Sequence, residues 1–389
     1  MSINSTNYPA VVIPAFNRPK SLLRLLRSLD KGDYPLNHSI ELIISIDGGG
    51  DHEVLRIAKE FNWNFGTKTI IEHDENLGLK NHIISCGDLA KKYGSIILLE
   101  DDLVVSKSFY SYAYKAAEFY IDDPEIAQIS LYAYTMSEHT LAQFAPIKNE
   151  NDTYFMRWPS SWGQLWTKCQ WEEFRNWLEG NDNWESLKSI VPAQVVNWPA
   201  ASWKKLFIAY LCSVKKYVVY PYFSFTSLCG EIGQNHKGGS LPYFNTFLAN
   251  NFKEFNFAQK DESTIFYDEY FQPTKVLLDS IIDRFQSFSY EIDFDGIKKL
   301  KNVSTKYLLS IKSCKNPVSS FGWQLNPPEM NLIYNKGKMI HFGKTCLFKE
   351  RLSIIEWVKF SYRFSQLLNV VQEFKRTTLK IVFKLIRKF

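Results

Sequence analysis

Glu100, Asp101 and Asp102 are three adjacent carboxylates behind the aliphatic run Ile96-Ile97-Leu98-Leu99. Side by side they repel one another, and only a cation or hydrogen-bond donors relieve that repulsion. Hard divalent ions such as Mg²⁺ and Mn²⁺ suit them, because such ions take carboxylate oxygens together with substrate phosphates. A solvated acidic turn is the alternative, and the apolar run in front argues against it. Four aliphatic residues in a row suit a strand buried on both faces, as in a parallel sheet. The acids then stand at its carboxyl end, where open α/β sheets place their ligands.

The elements that must position this triplet are legible on either side of it. Ala10-Val11-Val12-Ile13-Pro14 reads as a short buried strand stopped by proline, and Phe16-Asn17-Arg18-Pro19 as a turn. Leucines at 22, 23, 25, 26 and 29 then form one face of an amphipathic helix. Glu41–Ile46 is a second strand ending in Asp47-Gly48-Gly49-Gly50-Asp51. A helix over about 53–61, a strand over 67–72, the turn Asn76-Leu77-Gly78-Leu79 and a helix over 80–92 lead to the acidic strand. This alternation predicts a parallel, doubly wound α/β sheet with right-handed crossovers. Arg18, Asp47 and the triplet should then line one crevice. Neither GxGxxG nor GxxxxGK[ST] follows the first strand, which excludes a dinucleotide fingerprint and a P-loop.

Three ordered segments carry a family resemblance. Val11-Val12-Ile13-Pro14-Ala15-Phe16-Asn17-Arg18, Ser45-Ile46-Asp47-Gly48 and Glu100-Asp101-Asp102-Leu103 resemble the elements of GT-A fold glycosyltransferases. Glu-Asp-Asp-Leu-x-Val followed by Ser108-Phe109-Tyr110 is closest to the N-acetylglucosaminyltransferase I type, and Asn76-Leu77-Gly78 resembles bacterial family-2 enzymes. The resemblance spans residues 8–135 well and 155–240 loosely. It implies a Rossmann-like, mostly parallel sheet flanked by helices, and a metal-dependent, inverting transfer from a UDP-sugar to a saccharide hydroxyl. Ala15, Phe16 and Arg18 would contact the nucleotide, and Asp47 would accept the N3–H of uracil. Glu100 and Asp101 would hold the ribose and the sugar. Asp102, last of the DXD-type triplet, would ligate Mn²⁺ or Mg²⁺ bridging the diphosphate. A solvated lysine is the simpler reading of Lys80.

The acceptor side is less clear. Ile126–Tyr132 reads as another central strand, and 135–153 as a polar, irregular stretch long enough for a mobile active-site loop. Eight of the eleven tryptophans lie between Trp158 and Trp203. Trp158, Trp162 and Trp166 recur every four residues and would share a face if helical. Pro159-Ser160-Ser161-Trp162-Gly163 resembles the Ser-Trp-Gly segment beside the acceptor site of bacterial relatives, and aromatic faces suit sugar rings. Trp162 is therefore the candidate acceptor residue, with core packing the competing reading for the others. An inverting transferase also needs a carboxylate to take the acceptor's proton. In Trp198-Pro199-Ala200-Ala201-Ser202-Trp203 alanine stands where relatives carry an aspartate. Glu231, flanked by Gly230 and Gly233 after a strand over 217–225, is the first candidate base, and Asp182 the second. His236 reads as an ordinary loop histidine. A retaining mechanism, or a carbohydrate-binding or scaffolding protein with a decayed site, is the alternative that Ala200 and Ala201 motivate. A sugar-1-phosphate nucleotidylyltransferase would need an Arg- and Lys-containing glycine-rich loop after the first strand, which is missing.

Domains are expected at 1–245, with a nucleotide-sugar half to 135 and an acceptor half beyond it, and at 246–348, a region of unassigned role. A basic amphipathic tail at 349–389 completes the chain. Helices over 274–288 and a loop over 317–328 are expected in the middle region. The net charge is +5. The tail has ten Lys and Arg against three Glu, or +7, so the other 348 residues carry −2. Within it Leu379, Ile381, Val382, Phe383, Leu385 and Ile386 alternate with Lys380, Lys384, Arg387 and Lys388, a composition suited to an anionic membrane surface. A helix packed on the body is the competing reading. Six scattered cysteines without a CxxC pair suit a reduced compartment. No secretory leader or apolar span is visible. A cytoplasmic enzyme peripheral to the inner membrane face, acting on a lipid-linked saccharide in bacterial surface polysaccharide synthesis, is the resulting expectation.

Overall fold

The computed structural model describes residues 8–181, 183–229, 244–250, 254–259, 264–334, 337–353, 356–357 and 360. The chain forms two compact units, Met1–Thr135 with Pro146–Phe271, and Met136–Ala145 with Gln272–Phe389.

In the first unit strands and helices alternate as the apolar pattern requires. β1 (Ala10–Ala15) leads to α1 (Pro19–Leu29), β2 (Leu42–Ile46), α2 (His52–Glu60) and β3 (Lys68–Glu72). After α3 (Gly78–Asp88) and α4 (Ala90–Tyr93) comes β4 (Ser95–Leu98). Every residue of β1, β2 and β4 is buried, as expected of strands covered on both faces. α1 starts on Pro19, whose missing N–H costs nothing in a first turn, and buries Leu22, Leu25, Leu26 and Leu29. The single helix expected over 80–92 is two, parted at Leu89, whose N–H reaches Cys86 O at 3.2 Å in a tightened turn.

Beyond the acidic turn lie β5 (Leu103–Val105), α5 (Phe109–Phe119), β6 (Ile126–Ser130), β7 (Thr153–Met156) and β8 (Gln164–Thr167). They are followed by α6 (Lys168–Glu179), the short α7 (Trp184–Leu187) and α8 (Ala193–Val196), and α9 (Trp203–Val214). β9 (Tyr217–Pro221), β10 (Thr226–Leu228) and β11 (Phe266–Tyr267) complete the unit. The main sheet runs β11-β7-β9-β6-β8-β4-β1-β2-β3. Its β1–β4 half is parallel, whereas β8 runs antiparallel between β4 and β6, and β7 antiparallel to β9. This is the mostly parallel α/β sheet flanked by helices of the GT-A class. β5 leaves it to pair with β10, Leu103 opposite Leu228.

The tryptophan repeat is not helical. Trp158 lies in extended chain after β7, Trp162 in the turn before β8, and Trp166 inside β8. Trp158 and Trp166 are fully buried, so their four-residue spacing reflects core packing on a strand–turn–strand path. Gly163 makes that turn possible. Its φ is +94°, and a Cβ there would meet Thr226 Cγ2 at 2.6 Å. Phe255 and Phe257, expected beyond a boundary at 245, pack on Tyr112 of α5 with ring centroids 5.5 and 6.0 Å away.

The second unit holds a four-stranded sheet, β12 (Tyr290–Asp293), β13 (Tyr307–Ser310), β14 (Ser319–Phe321) and β15 (Ile340–Lys344), ordered β12-β13-β15-β14. α10 (Lys275–Ile281), capped by Thr274, and α11 (Asn331–Tyr334) accompany it. α10 is shorter than the helix expected over 274–288, because the chain turns extended at Ile282 and continues as a 3₁₀ turn at Asp283–Phe285. β14 lies within the stretch expected as a loop. Leu278, Phe285, Leu309, Phe321 and Phe342 form the core, joined by Ala142 from the polar stretch 136–145. No helix among the described residues is long and apolar enough to cross a membrane. Most of the basic tail, including everything after Phe360, lies outside the described residues.

Candidate active site

At the carboxyl end of β4 the chain leaves the sheet as a turn. Leu99 N–H is still held by Val12 O at 2.9 Å, and Leu103 N–H returns to Glu100 O at 3.2 Å. Arg18, the residue that caps α1, reaches into this turn from the end of β1. Its guanidinium pairs with Asp101 and, at 2.6 Å, with Asp102 Oδ2. Asp101 is 2% exposed, so its charge is sustained by that partner. Burial opposes the charge on Arg18, but Asp101, Asp102 and Glu100 outweigh it and hold the guanidinium protonated. Glu100 has the opposite balance. Burial, then the charge of Asp102, pushes its carboxyl up to about 8, against the pull of Arg18 and Lys204. The fold thus brings Arg18, Glu100, Asp101 and Asp102 together, with Ala15 buried and Phe16 half-buried on the strand that delivers Arg18.

Asp47 stands at the end of the neighbouring strand, its N–H on Ala15 O at 2.9 Å. Its carboxylate is turned onto backbone. Oδ1 accepts from Gly48 N–H at 3.0 Å and Leu77 N–H at 2.7 Å, and Oδ2 from Gly78 N–H at 3.1 Å. Asn76 Nδ2 donates to Gly48 O at 3.0 Å. Gly48 is required here, since a Cβ would lie 2.4 Å from the Glu75 carbonyl carbon. Asp47 therefore ties the Asn76-Leu77-Gly78 turn to β2, and Oδ2 keeps room for one more donor. Behind it, Ser45 Oγ lies 2.8 Å from His82 Nε2 and 3.1 Å from His73 Nε2. A hydroxyl has one proton, so at least one of these rings donates. Burial lowers the His82 pKa to about 4 despite the nearby Asp47 charge, which keeps the ring neutral.

The acceptor candidate Trp162 is half-buried between Tyr132, Tyr134 and Phe244, with centroids 4.9, 5.6 and 5.0 Å away. A residue the sequence did not single out completes this wall. Lys204, 7% exposed in the first turn of α9, lies within 6.0 Å of the ring centroids of Trp158, Trp162, Trp198 and Tyr134. The available signal was Trp203-Lys204-Lys205 opening a helix, where acidic residues are favoured. Of the candidate bases, Glu231 and Asp182 both lie outside the described residues, as does His236. Cys229, two residues before Glu231 in sequence, donates its N–H to Asp102 O at 3.2 Å.

The donor set fits a divalent cation at one carboxylate. Among the described residues Asp102 Oδ1 is buried without a hydrogen-bond partner, which suits a hard cation. No cluster of three or more His, Cys, Asp or Glu forms a metal cage among the described residues. Mg²⁺-like ions that share substrate phosphates need only one or two carboxylates.

Residues 10–171 match the model of glycosyl transferase family 2. Among solved structures, S. aureus TarS 1–349 in complex with UDP-GlcNAc aligns at 15% identity and a TM-score of 0.39, over 60% of this chain and 61% of that one. A mannosyltransferase from Pyrobaculum calidifontis, solved with GDP-Man and Mn²⁺, aligns at 13% identity and a TM-score of 0.33, over 55% and 56%. The chain thus spans about three fifths of the structures it resembles. No curated protein matches it.

Proposed function

We propose that this glycosyl transferase, of family 2 over residues 10–171, moves a sugar from a UDP-sugar to a saccharide hydroxyl with inversion. The observation that carries this is the turn after β4. There Arg18 is paired with Asp101 and Asp102, while one buried oxygen of Asp102 has no hydrogen-bond partner among the described residues.

The acceptor oxygen bonds to the anomeric carbon as the bond from that carbon to the β-phosphate oxygen breaks. UDP leaves with the electron pair, and negative charge grows on its diphosphate. Arg18 is a fixed cation at the end of the sheet where that charge develops. Asp102 would hold Mn²⁺ or Mg²⁺, which when bound would neutralise further charge on the leaving group. Glu100 and Asp101 orient the ribose and sugar, and Ala15 and Phe16 border the nucleotide. Asp47 holds the Asn76–Gly78 turn and has one acceptor position left for a uracil N3–H. Trp162 offers a ring to the acceptor. The acceptor's proton passes to a carboxylate, for which Glu231 and then Asp182 are the candidates. We place the enzyme on the cytoplasmic face of a bacterial membrane, acting on a lipid-linked acceptor in surface polysaccharide assembly.

Thermal unfolding with UDP, GDP, CMP and dTDP, each with and without Mn²⁺, tests the donor class. A ligand that binds only the folded state raises the melting temperature by mass action. A Mn²⁺-dependent rise with UDP alone is expected, and Asp102→Asn should lose the Mn²⁺-dependent part while the unliganded melting temperature stays close to wild type. No rise with any nucleotide would refute the reading in favour of a carbohydrate-binding protein. A rise that Asp102→Asn leaves intact would remove the metal from it.

A further inference from the structure

Ser45 and His82, 2% and 4% exposed, are polar side chains buried behind Asp47. A buried polar group costs free energy unless its hydrogen bonds are made, so its partners show what it holds. Here one hydroxyl joins three elements. Ser45 Oγ on β2 lies 2.8 Å from His82 Nε2 on α3 and 3.1 Å from Nε2 of His73, the residue that follows β3. The two rings stand edge to face, with centroids 5.3 Å apart. A hydroxyl offers one proton and two lone pairs, enough to serve both nitrogens at once.

Contacts lead from this cluster to the nucleotide end of the sheet. Ser45 and Asp47 are two residues apart on extended chain, so their side chains share a face. Gly78 and His82 are four apart on α3. The Gly78 N–H that meets Asp47 and the ring that meets Ser45 therefore lie one helical turn from each other. The segment from His73 to His82 is thus fastened to the end of β2 along its length. His73 N–H reaches Ile46 O at 3.0 Å, and Asn76 Nδ2 reaches Gly48 O at 3.0 Å. Leu77 and Gly78 N–H reach Asp47 at 2.7 and 3.1 Å. Both end rings close on the Ser45 hydroxyl. Backbone bonds hold the middle of the segment against Asp47, and the two rings fix where along β2 that middle sits.

We propose that Ser45, His73 and His82 are positioning residues that hold Asp47 for base recognition, and so set a preference for uracil over cytosine. This rests on the UDP-sugar reading. Uracil carries an N–H at N3, which Asp47 accepts, whereas cytosine has a lone pair there and offers the carboxylate no donor. A site built to receive an N–H rejects the analogue that lacks it, provided the acceptor is held in place. Loosening the cluster should therefore weaken UDP binding and spare CDP.

The test measures UDP and CDP affinity by calorimetry, with Mn²⁺ present, for wild type, Ser45→Ala, His82→Leu, His82→Gln and the Ser45→Ala/His82→Leu double variant. Ser45→Ala and His82→Leu should each weaken UDP about tenfold and CDP less than about threefold, which narrows the preference. His82→Gln should stay within about threefold of wild type for UDP, because its amide can meet the Ser45 hydroxyl in place of Nε2. The double variant should lose no more than about twofold beyond either single one, since both remove the same contact. Equal losses for UDP and CDP would show a merely structural role and overturn the proposal. Single-variant effects that multiply in the double variant would do the same. Failure of Ser45→Ala and both His82 variants to fold would also overturn it and assign the cluster to the core. Wild type that binds no UDP would refute the UDP-sugar reading and this one together. Wild type that prefers UDP, with variants that keep that preference, would refute this one alone.

Discussion

Single residues at this site carry roles that type and spacing only half reveal. The sequence marked Asp47 as a ligand for a base, yet three backbone N–H groups already converge on its carboxylate. Nothing local in Ser45-Ile46-Asp47-Gly48 announces that, because the donors arrive from Leu77 and Gly78, thirty residues on. Arg18 was legible, since a basic residue at the end of one strand and three acids at the end of another must meet if the strands are neighbours. His82 was not, because its partner Ser45 belongs to a different element. It gives a prediction in pH. The folded pKa of about 4 lies below the ordinary 6.5, so between these values the unfolded chain binds a proton that the folded one does not. Stability is therefore complete above pH 6.5 and falls as pH drops toward 4, by up to about 1.4 kcal/mol per unit. Urea unfolding at pH 7, 6 and 5 should show a shallower loss for His82→Gln than for wild type, about one proton less in slope. Equal slopes would mean that His82 does not stay neutral in the folded protein.

Elements are legible where one strand follows one helix, and obscure where order in space departs from order in sequence. β1 to β4 and their helices follow from apolar runs and amphipathic spacing. The insertion of β8, antiparallel, between β4 and β6 does not, because pairing across that distance leaves no periodic trace in Gln164–Thr167. Trp158, Trp162 and Trp166 imitate a helical face through core packing along a bent extended path. The Asp47–Gly50 run did announce a turn, and the structure shows what its first glycine permits. β2 and the Asn76–Gly78 turn approach so closely that a methyl group on Gly48 would strike the Glu75 carbonyl. Backbone, unlike a side-chain tip, cannot swing aside. Gly48→Ala should therefore destabilise by about 1–3 kcal/mol, the usual cost of overpacking. It should also weaken UDP binding, since it displaces the turn that Asp47 holds. Denaturant unfolding and calorimetry on the same variant measure both. Unchanged stability would show that β2 and the turn can separate without cost.

At the scale of the whole chain, charge is the property the sequence states most directly. The first 348 residues carry −2 and the last 41 carry +7, and that separation needs no fold to be read. An anionic bilayer surface attracts each nearby Lys or Arg by about 1 kcal/mol within a Debye length of about 8–10 Å. On the proposal that the tail meets such a surface, several of the ten cations would act together with the apolar residues from Leu379 to Ile386, the combination of two weak signals that a peripheral protein needs. The protein should accordingly sediment with vesicles containing about a third phosphatidylglycerol and stay in solution with pure phosphatidylcholine. Raising salt to about 0.5 M should release much of it, because the screening length then falls to about 4–5 Å. A chain shortened at residue 353 should remain in solution with both vesicles while its UDP-dependent thermal shift is kept, since the segment that matches the family-2 model ends at residue 171. Sedimentation that survives the deletion would move the membrane contact onto the body. Binding that ignores lipid charge and salt would make the apolar residues, rather than the lysines and arginines, the reason the tail adheres.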